Sequence, residues 1–278
     1  MGPSHQVRRL RDALMRRFRV LRLRAALDRR RAARDPSIDE RHRRLARAVS
    51  TRISPRDAMH GGGGRHYFSV GQSGLACAEA AIAAAGLARV NTLLDLPCGH
   101  GRVLRWLRAR FPEAQVTVSD LDRDGVDFCA RTFAARPVYS RPDFDALTLG
   151  GGFDVIWCGS LATHLDEPTV RELLALMQRH LADGGVAVVT THGARAAERL
   201  GAGDTIYAMG PAAAGALLRG YEADGFGYGD YAGEAGYGVS LSTPEWMRSA
   251  AAAAGLREVL FLEHGWDDHQ DVFGVMRA

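Results

Sequence analysis

The 278-residue chain has no lysine; all 36 of its basic residues are arginine. That absence excludes two chemistries. A phosphate loop of the GxxxxGK type needs its lysine, and so does a Schiff-base mechanism. Cysteine is sparse as well. Cys77, Cys98, Cys129 and Cys158 are spread apart and form no CxxC pair. A disulfide framework or a cysteine zinc site is therefore not expected, and a reducing cytoplasm is. Long apolar runs are missing too, since a membrane span needs ~18 to 20 such residues. The alanine-rich stretch 75–88 falls short and contains Glu79. Residues 1–30 are studded with arginine and show no apolar core of a secretory signal. Acidic charge is scarce at one end only. Residues 1–56 hold 18 arginines against 5 acids, and the remainder holds 18 against 27, which leaves a net charge of +4. The chain thus reads as a basic helical extension, 1–56, on a larger acidic domain, 57–278.

In the extension, Val7, Leu10, Leu14, Phe18 and Leu21 recur at helical spacing, so a basic helix is expected over 6–34, ended by Pro36. Ser37 and Glu40 form a capping box for a short helix to Val49. Such an arm suits an anionic membrane surface or a second subunit. A nucleic-acid acceptor is a weaker reading, because the domain it would serve is acidic. A glycine-rich loop over 55–71 and a helix over 73–85 follow.

From residue 91 the pattern alternates. Strands are expected at 92–96, 115–119, 136–139, 153–158 and 186–191, with helices at 101–110, 122–134 and 167–182. Repeated βα units imply an α/β fold with a mostly parallel sheet covered on both faces. Residues 193–240 break the alternation with a short alanine-rich helix and a glycine- and tyrosine-rich stretch. A connection that long reads as a binding lid, with Tyr228, Tyr231 and Tyr237 in it. Thr243 caps a further helix, with Pro244 in its first turn. Only seven residues join the last strands, 257–263 and 271–277, so these pair antiparallel.

The informative stretch is "TLLDLPCGHGRVLRW", residues 92–106. An apolar strand ends in Asp95. Gly99 and Gly101 then let a backbone approach a ligand at the head of the next helix. A nicotinamide fingerprint, GxGxxG, would need a third glycine where Leu104 stands. The spacing instead resembles motif I of the class I S-adenosylmethionine-dependent methyltransferases, D-x-G-x-G-x-G, with Pro97 in place of the first glycine. "VTVSDLD" ending in Asp120, "RPDFDAL", "FDVIWCGSLATHL" and "LADGGVAVVTTHG" extend the resemblance from about Tyr67 to the C-terminus. It implies a Rossmann-like seven-stranded sheet with an antiparallel last strand and S-adenosyl-L-methionine as cofactor. It also implies cofactor contacts. Asp95, Pro97, Cys98, Gly99 and Gly101 form the turn. Asp120 takes the ribose hydroxyls and Leu121 lies against the adenine. Asp143 accepts from the adenine amino group and Phe144 flanks the ring, with Cys158 at the mouth.

Methyl transfer to a hydroxyl needs a proton acceptor, and histidine is the commonest. His164, His192 and His269 follow strand ends on one edge of the sheet, and each is a candidate. Asp267 and Asp268 beside His269 make a poor metal set, so no metal is expected. Tyr67, the lid tyrosines and Trp266 suit a small-molecule acceptor with apolar or sugar-like faces. Among relatives, the chain resembles bacterial proteins taken to methylate hydroxyls of glycans or natural products.

Overall fold

The computed structural model describes residues 20–31, 34, 40–60, 64–204 and 207–278. The expected arm helix is present as α1 over residues 20–31, and the rest of that expectation, with Pro36 and Ser37, lies outside the described residues. Helix α1 buries Ala25 and leaves Val20, Leu23 and Leu27 exposed. Helix α2 (Glu40–Leu45) is shorter than expected. Among the described residues no helix is long and apolar enough to cross a membrane.

One expectation fails here. The expected loop extends to residue 71, but α3 runs Gly64–Ala84. Tyr67, Phe68, Val70, Leu75 and Ala78 recur on its buried face, and that burial outweighs the weak helix propensity of its glycines.

The alternation then proceeds as the pattern predicts: β1 (Thr92–Asp95), α4 (Leu104–Arg110), β2 (Gln115–Asp120), α5 (Arg123–Phe133), β3 (Arg136–Tyr139), β4 (Phe153–Cys158), α6 (Glu167–His180) and β5 (Leu181–Thr191). Local chemistry sets the ends. Asp122 accepts from the Asp124 amide and starts α5; Asp166 accepts from the Thr169 amide and starts α6. Val170, Leu173, Leu174 and Met177 point α6 into the core, each contributing about 1.5–3 kcal/mol by leaving water.

The stretch 193–240 is folded rather than irregular. It holds α7 (Ala194–Gly201), α8 (Pro211–Asp224) and a separate two-stranded sheet, β6 (Phe226–Tyr231) with β7 (Glu234–Ser242). Leu200, Leu217, Val239 and Leu241 give it a small core of its own. The glycines that suggested a loop allow close packing: a Cβ on Gly227 would sit 1.9 Å from the Leu217 carbonyl oxygen. Helix α9 (Pro244–Ala253) starts at Thr243, whose hydroxyl accepts from the Trp246 amide. Strands β8 (Leu256–Trp266) and β9 (Gln270–Arg277) complete the chain.

The large sheet has the order β3-β2-β1-β4-β5-β9-β8. The first five strands pair parallel, and β9 is antiparallel to both β5 and β8. One face is covered around Trp106 and Trp157, the other around Leu173, Leu174 and Met247. The strand order reverses beside β1. In open parallel sheets that position, at the carboxyl ends, receives ligands.

Candidate active site

Beyond β1 the chain passes Asp95 and makes the glycine turn. Gly99 and Gly101 have φ of +46° and +78°, a region that side chains disfavour. The two glycines serve different ends. A Cβ on Gly101 would lie 2.5 Å from the Phe133 ring, so that glycine lets α5 pack closely. A Cβ on Gly99 would meet nothing within 4 Å, so its bare backbone faces open space. Asp120 closes the turn: its Oδ2 accepts from the Gly99 amide at 2.7 Å and its Oδ1 from the Asp122 amide at 2.9 Å.

Asp95, Gly99 and Asp120 line a cavity of about 160 Å³, with Pro97, Cys98 and Trp157; Gly101 lies outside its lining. Burial and the nearby Asp120 charge raise the Asp95 carboxyl well above its usual range. Burial also raises Asp120, against the amides that hold its charge. Two carboxylates in a dry pocket are stabilised by a ligand that brings a cation or hydroxyl donors. The neighbouring Cys129 thiol and burial hold Cys98 far from ionisation, and its S–H donates to the Gly99 carbonyl at 3.5 Å, so it is no nucleophile.

A second cavity, about 910 Å³, adjoins the first: Arg102, Ser160 and Trp266 line both. Its other walls come from α7 and the β8–β9 turn, with Arg195, Arg199, Asp267, Asp268, His269 and Gln270. Among the described residues, six other than glycine have positive φ, and four of them, Ser160, His264, Asp267 and Asp268, line this cavity. Such backbone strain concentrates at functional sites, because surrounding structure must hold it in place. The hold on Ser160 is visible. Its amide donates to Thr190 Oγ1 at 2.8 Å, Gln270 Nε2 donates to its hydroxyl at 2.9 Å, and the Thr190 hydroxyl donates to Gln270 Oε1 at 2.6 Å. Trp266 is fixed by its indole N–H to the Val70 carbonyl, 3.0 Å, and by edge contact with Trp157.

The structure divides the three candidate histidines. His269 lines the larger cavity, with Nε2 3.2 Å from the Tyr207 hydroxyl and Nδ1 3.5 Å from Arg199. Guanidinium cannot accept a hydrogen bond, so Nδ1 carries the lone pair and Nε2 the proton. Burial, then Arg199 and Arg195, lower its pKa and keep the ring neutral. His164 lies under the β6–β7 hairpin, its Nδ1–H donating to the Gly238 carbonyl at 2.8 Å, and it is not among the residues lining either cavity. Tyr237 stacks on it and Tyr231 is tilted against it; the Tyr228 hydroxyl is engaged with Asp230.

His192 does not suit a base. It lines neither cavity, and its buried Nδ1 has no hydrogen-bond partner among the described residues. Burial, with His269 and His164 nearby, pushes its pKa down to about 3.

Several cofactor expectations change as well. Phe144 and Cys158 are core residues, packed in the cluster that includes Leu94 and Leu96, and line neither cavity. Asp143 lies in an exposed turn, accepting from the Asp145 and Ala146 amides. Leu121, next to Asp120, is 61% exposed and lines neither cavity. Tyr67 is no flap. It is buried on α3, its hydroxyl donating to Asp57 at 2.7 Å and accepting from Arg105 at 2.9 Å. Among the described residues no acid, histidine and cysteine cluster could hold a metal.

Arg102, Ser160 and Gln270 line the two cavities and were not singled out from sequence. Arg102 follows the glycine turn directly and Ser160 follows β4, so their places at strand ends were the available signals. Gln270 becomes visible only once the hairpin is known to fold onto the cleft.

Comparison with known proteins agrees with this geometry. Residues 94–187 match a family described as a methyltransferase domain. No curated protein sequence matches the chain. Similar solved structures include an S-adenosylmethionine-dependent methyltransferase from Clostridium acetobutylicum, 13% identical, covering 74% of this chain and 92% of that one at a TM-score of 0.53. An amino pentose methyltransferase of calicheamicin biosynthesis from Micromonospora echinaspora, solved with S-adenosylmethionine bound, is 21% identical, covering 76% and 92% at 0.52. A sugar N-methyltransferase from a Streptoalloteichus species is 21% identical, covering 74% and 86% at 0.51. At these identities the likeness is one of fold.

Proposed function

We propose that the chain is a class I S-adenosylmethionine-dependent methyltransferase and that it methylates a hydroxyl of a small, polar, sugar-like acceptor bound in the larger cavity. The observation that carries this reading is the shared wall. A small acidic cleft, with room for part of the cofactor, and a roomy polar cavity meet at Ser160, Trp266 and Arg102, so a methyl donor seated at one faces an acceptor in the other.

The residues fit the cofactor. Gly99 leaves open space where a side chain would intrude, and Asp95 and Asp120 offer two carboxylates to its ammonium and ribose hydroxyls. When bound, S-adenosylmethionine supplies an electrophilic methyl group on a sulfonium centre. The chain's own part is to hold an acceptor oxygen in line with that carbon, which accounts for much of the rate in such displacements. Trp266 and Trp157 wall the junction against water. His269 is the base in this reading: the acceptor hydroxyl displaces the long 3.5 Å Arg199 contact at Nδ1 and gives up its proton there, while the Tyr207 oxygen accepts from Nε2–H and fixes the ring; burial raises the Tyr207 hydroxyl to about 12, so it stays protonated. An oriented base of this kind contributes roughly 10²–10⁴-fold. The charged lining, with one tryptophan face, suits a polyol or a hydroxylated acid better than a flat apolar ring. Two of the similar structures are named as sugar-directed enzymes, but the choice of acceptor rests on the cavity and not on them.

The test is calorimetry with S-adenosylhomocysteine, then incubation with S-adenosylmethionine and a panel of sugars, hydroxy acids, phenols, amines and oligonucleotides, with methylated products read by mass spectrometry. The expected product is an O-methyl ether of a polar small molecule. Methylation of amines or nucleic acid alone would reject the acceptor reading and leave the family standing.

A further inference from the structure

We propose that Arg102 is the seat of a carboxylate at the seam between the two cavities. The inference rests on the methyltransferase reading and adds a ligand group to it.

Arginines around the site are satisfied, with one exception. Arg195 donates through both terminal nitrogens to Asp268, at 2.9 Å each. Arg199 donates through Nε to Asp204 at 2.8 Å. Arg105, one helical turn beyond Arg102, is fully buried and reaches the carbonyls of Ser50 and Arg52 and the Tyr67 hydroxyl at 2.8, 3.1 and 2.9 Å. Arg102 has no such partner. Among the described residues its only specific contact is with the face of Trp266, whose ring centre lies 5.6 Å from the guanidinium carbon. A ring face steadies a cation but takes none of its five N–H donors. Yet this is the arginine that lines both cavities. Burial lowers its pKa, and the Tyr67, Asp267 and Asp57 groups oppose that without a direct bond to it. A half-buried guanidinium is costly unless an anion completes it, and its planar fork matches the two oxygens of a carboxylate.

The smaller cavity supplies the complementary charge. Asp95 and Arg102 both line it, so it presents an acid and a cation together, as the ammonium and carboxylate of an α-amino acid require. The cofactor carries that pair. An acceptor carboxylate in the larger cavity could reach the same guanidinium, and the experiment separates the two sources.

The proteins are wild type, Arg102→Gln and Arg102→Lys, each checked for its unfolding midpoint and far-UV spectrum. Calorimetry uses S-adenosylhomocysteine, which has the carboxylate, and methylthioadenosine, which lacks the amino-acid end. The protein saturated with S-adenosylhomocysteine is then titrated with acetate. A charge-assisted pair lost in place predicts that Arg102→Gln weakens S-adenosylhomocysteine about 10- to 100-fold and leaves methylthioadenosine unchanged, with Arg102→Lys in between. That result assigns the cofactor carboxylate. Unchanged S-adenosylhomocysteine affinity with loss of acetate binding in Arg102→Gln assigns an acceptor carboxylate. If neither affinity moves, the proposal is overturned. Should Arg102→Gln fail to fold, Arg102→Lys decides by the same comparison. Wild-type protein that binds no S-adenosylhomocysteine would instead reject the cofactor reading, a separate failure.

Discussion

The two cavities that meet at Arg102, Ser160 and Trp266 are built by opposite means. The smaller is a product of backbone: a strand end, a turn at positive φ, two carboxylates on adjacent parallel strands, and amides that fix one of them. The larger is a product of side chains from distant segments, α7 and the β8–β9 turn, held over the sheet by Trp266 and by residues in left-handed conformations. The first kind of site is set by a short local pattern and serves any member of a fold that uses one cofactor. The second depends on which loops reach across, so it can change acceptor while the sheet stays the same. If that division holds, damage to one cavity leaves the other working.

The largest effect belongs to the acceptor side. His269→Asn should lower kcat about 1,000-fold with the affinity for S-adenosylhomocysteine unchanged. The wild-type pKa of His269 is lowered, so the ring is already unprotonated at neutral pH, and activity should fall only as pH drops through a value below the ordinary 6.5. That acid limb should vanish from the residual activity of the variant. A variant that keeps the limb, or loses cofactor affinity as well, would show that the cavities are not independent.

On the cofactor side, Asp120→Ala should weaken S-adenosylhomocysteine about 100-fold, since it deletes an anionic acceptor of two hydroxyls. It also frees the Gly99 and Asp122 amides, so the far-UV spectrum must be shown intact. Undiminished affinity would remove the central reason for placing the ribose there.

Legibility in the sequence followed the same line. The βα alternation, the antiparallel hairpin at the end of the chain and the glycine turn could all be read, because each is a local periodicity or a local backbone requirement. Asp95, Gly99 and Asp120 were found for that reason and do share a cavity. Tyr67 was misjudged because four glycines before it suggested a loop, whereas its place on the buried face of α3 was decided by tertiary packing. Phe144 and Cys158 were misplaced because an aromatic residue and a thiol near a strand end look the same in sequence whether they face a ligand or the core. Residues 193–240 hid a folded hairpin, since glycines that permit close backbone packing resemble glycines that permit disorder. Ser160 was missed because its left-handed conformation is imposed by Thr190 and Gln270, 30 and 110 positions away.

The smallest effect sharpens the boundary of the larger cavity. His192 and His269 have ring centres 5.4 Å apart, yet only His269 lines the space. His192 is a buried neutral ring with a pKa near 3, against about 6.5 in the unfolded chain. Between those values the unfolded state binds a proton that the folded state refuses. Full stability is present above pH 6.5, and this group removes about 1.4 kcal/mol for each unit of fall in pH until the folded ring titrates. His192→Gln should therefore retain turnover, be somewhat less stable than wild type at pH 8, and approach or overtake it by pH 5. Urea midpoints at pH 8, 6.5 and 5 read the difference. Parallel curves would mean that the ring is not held neutral in the fold. A loss of turnover matching that of His269→Asn would move His192 into the reacting cavity and redraw the boundary between the two histidines.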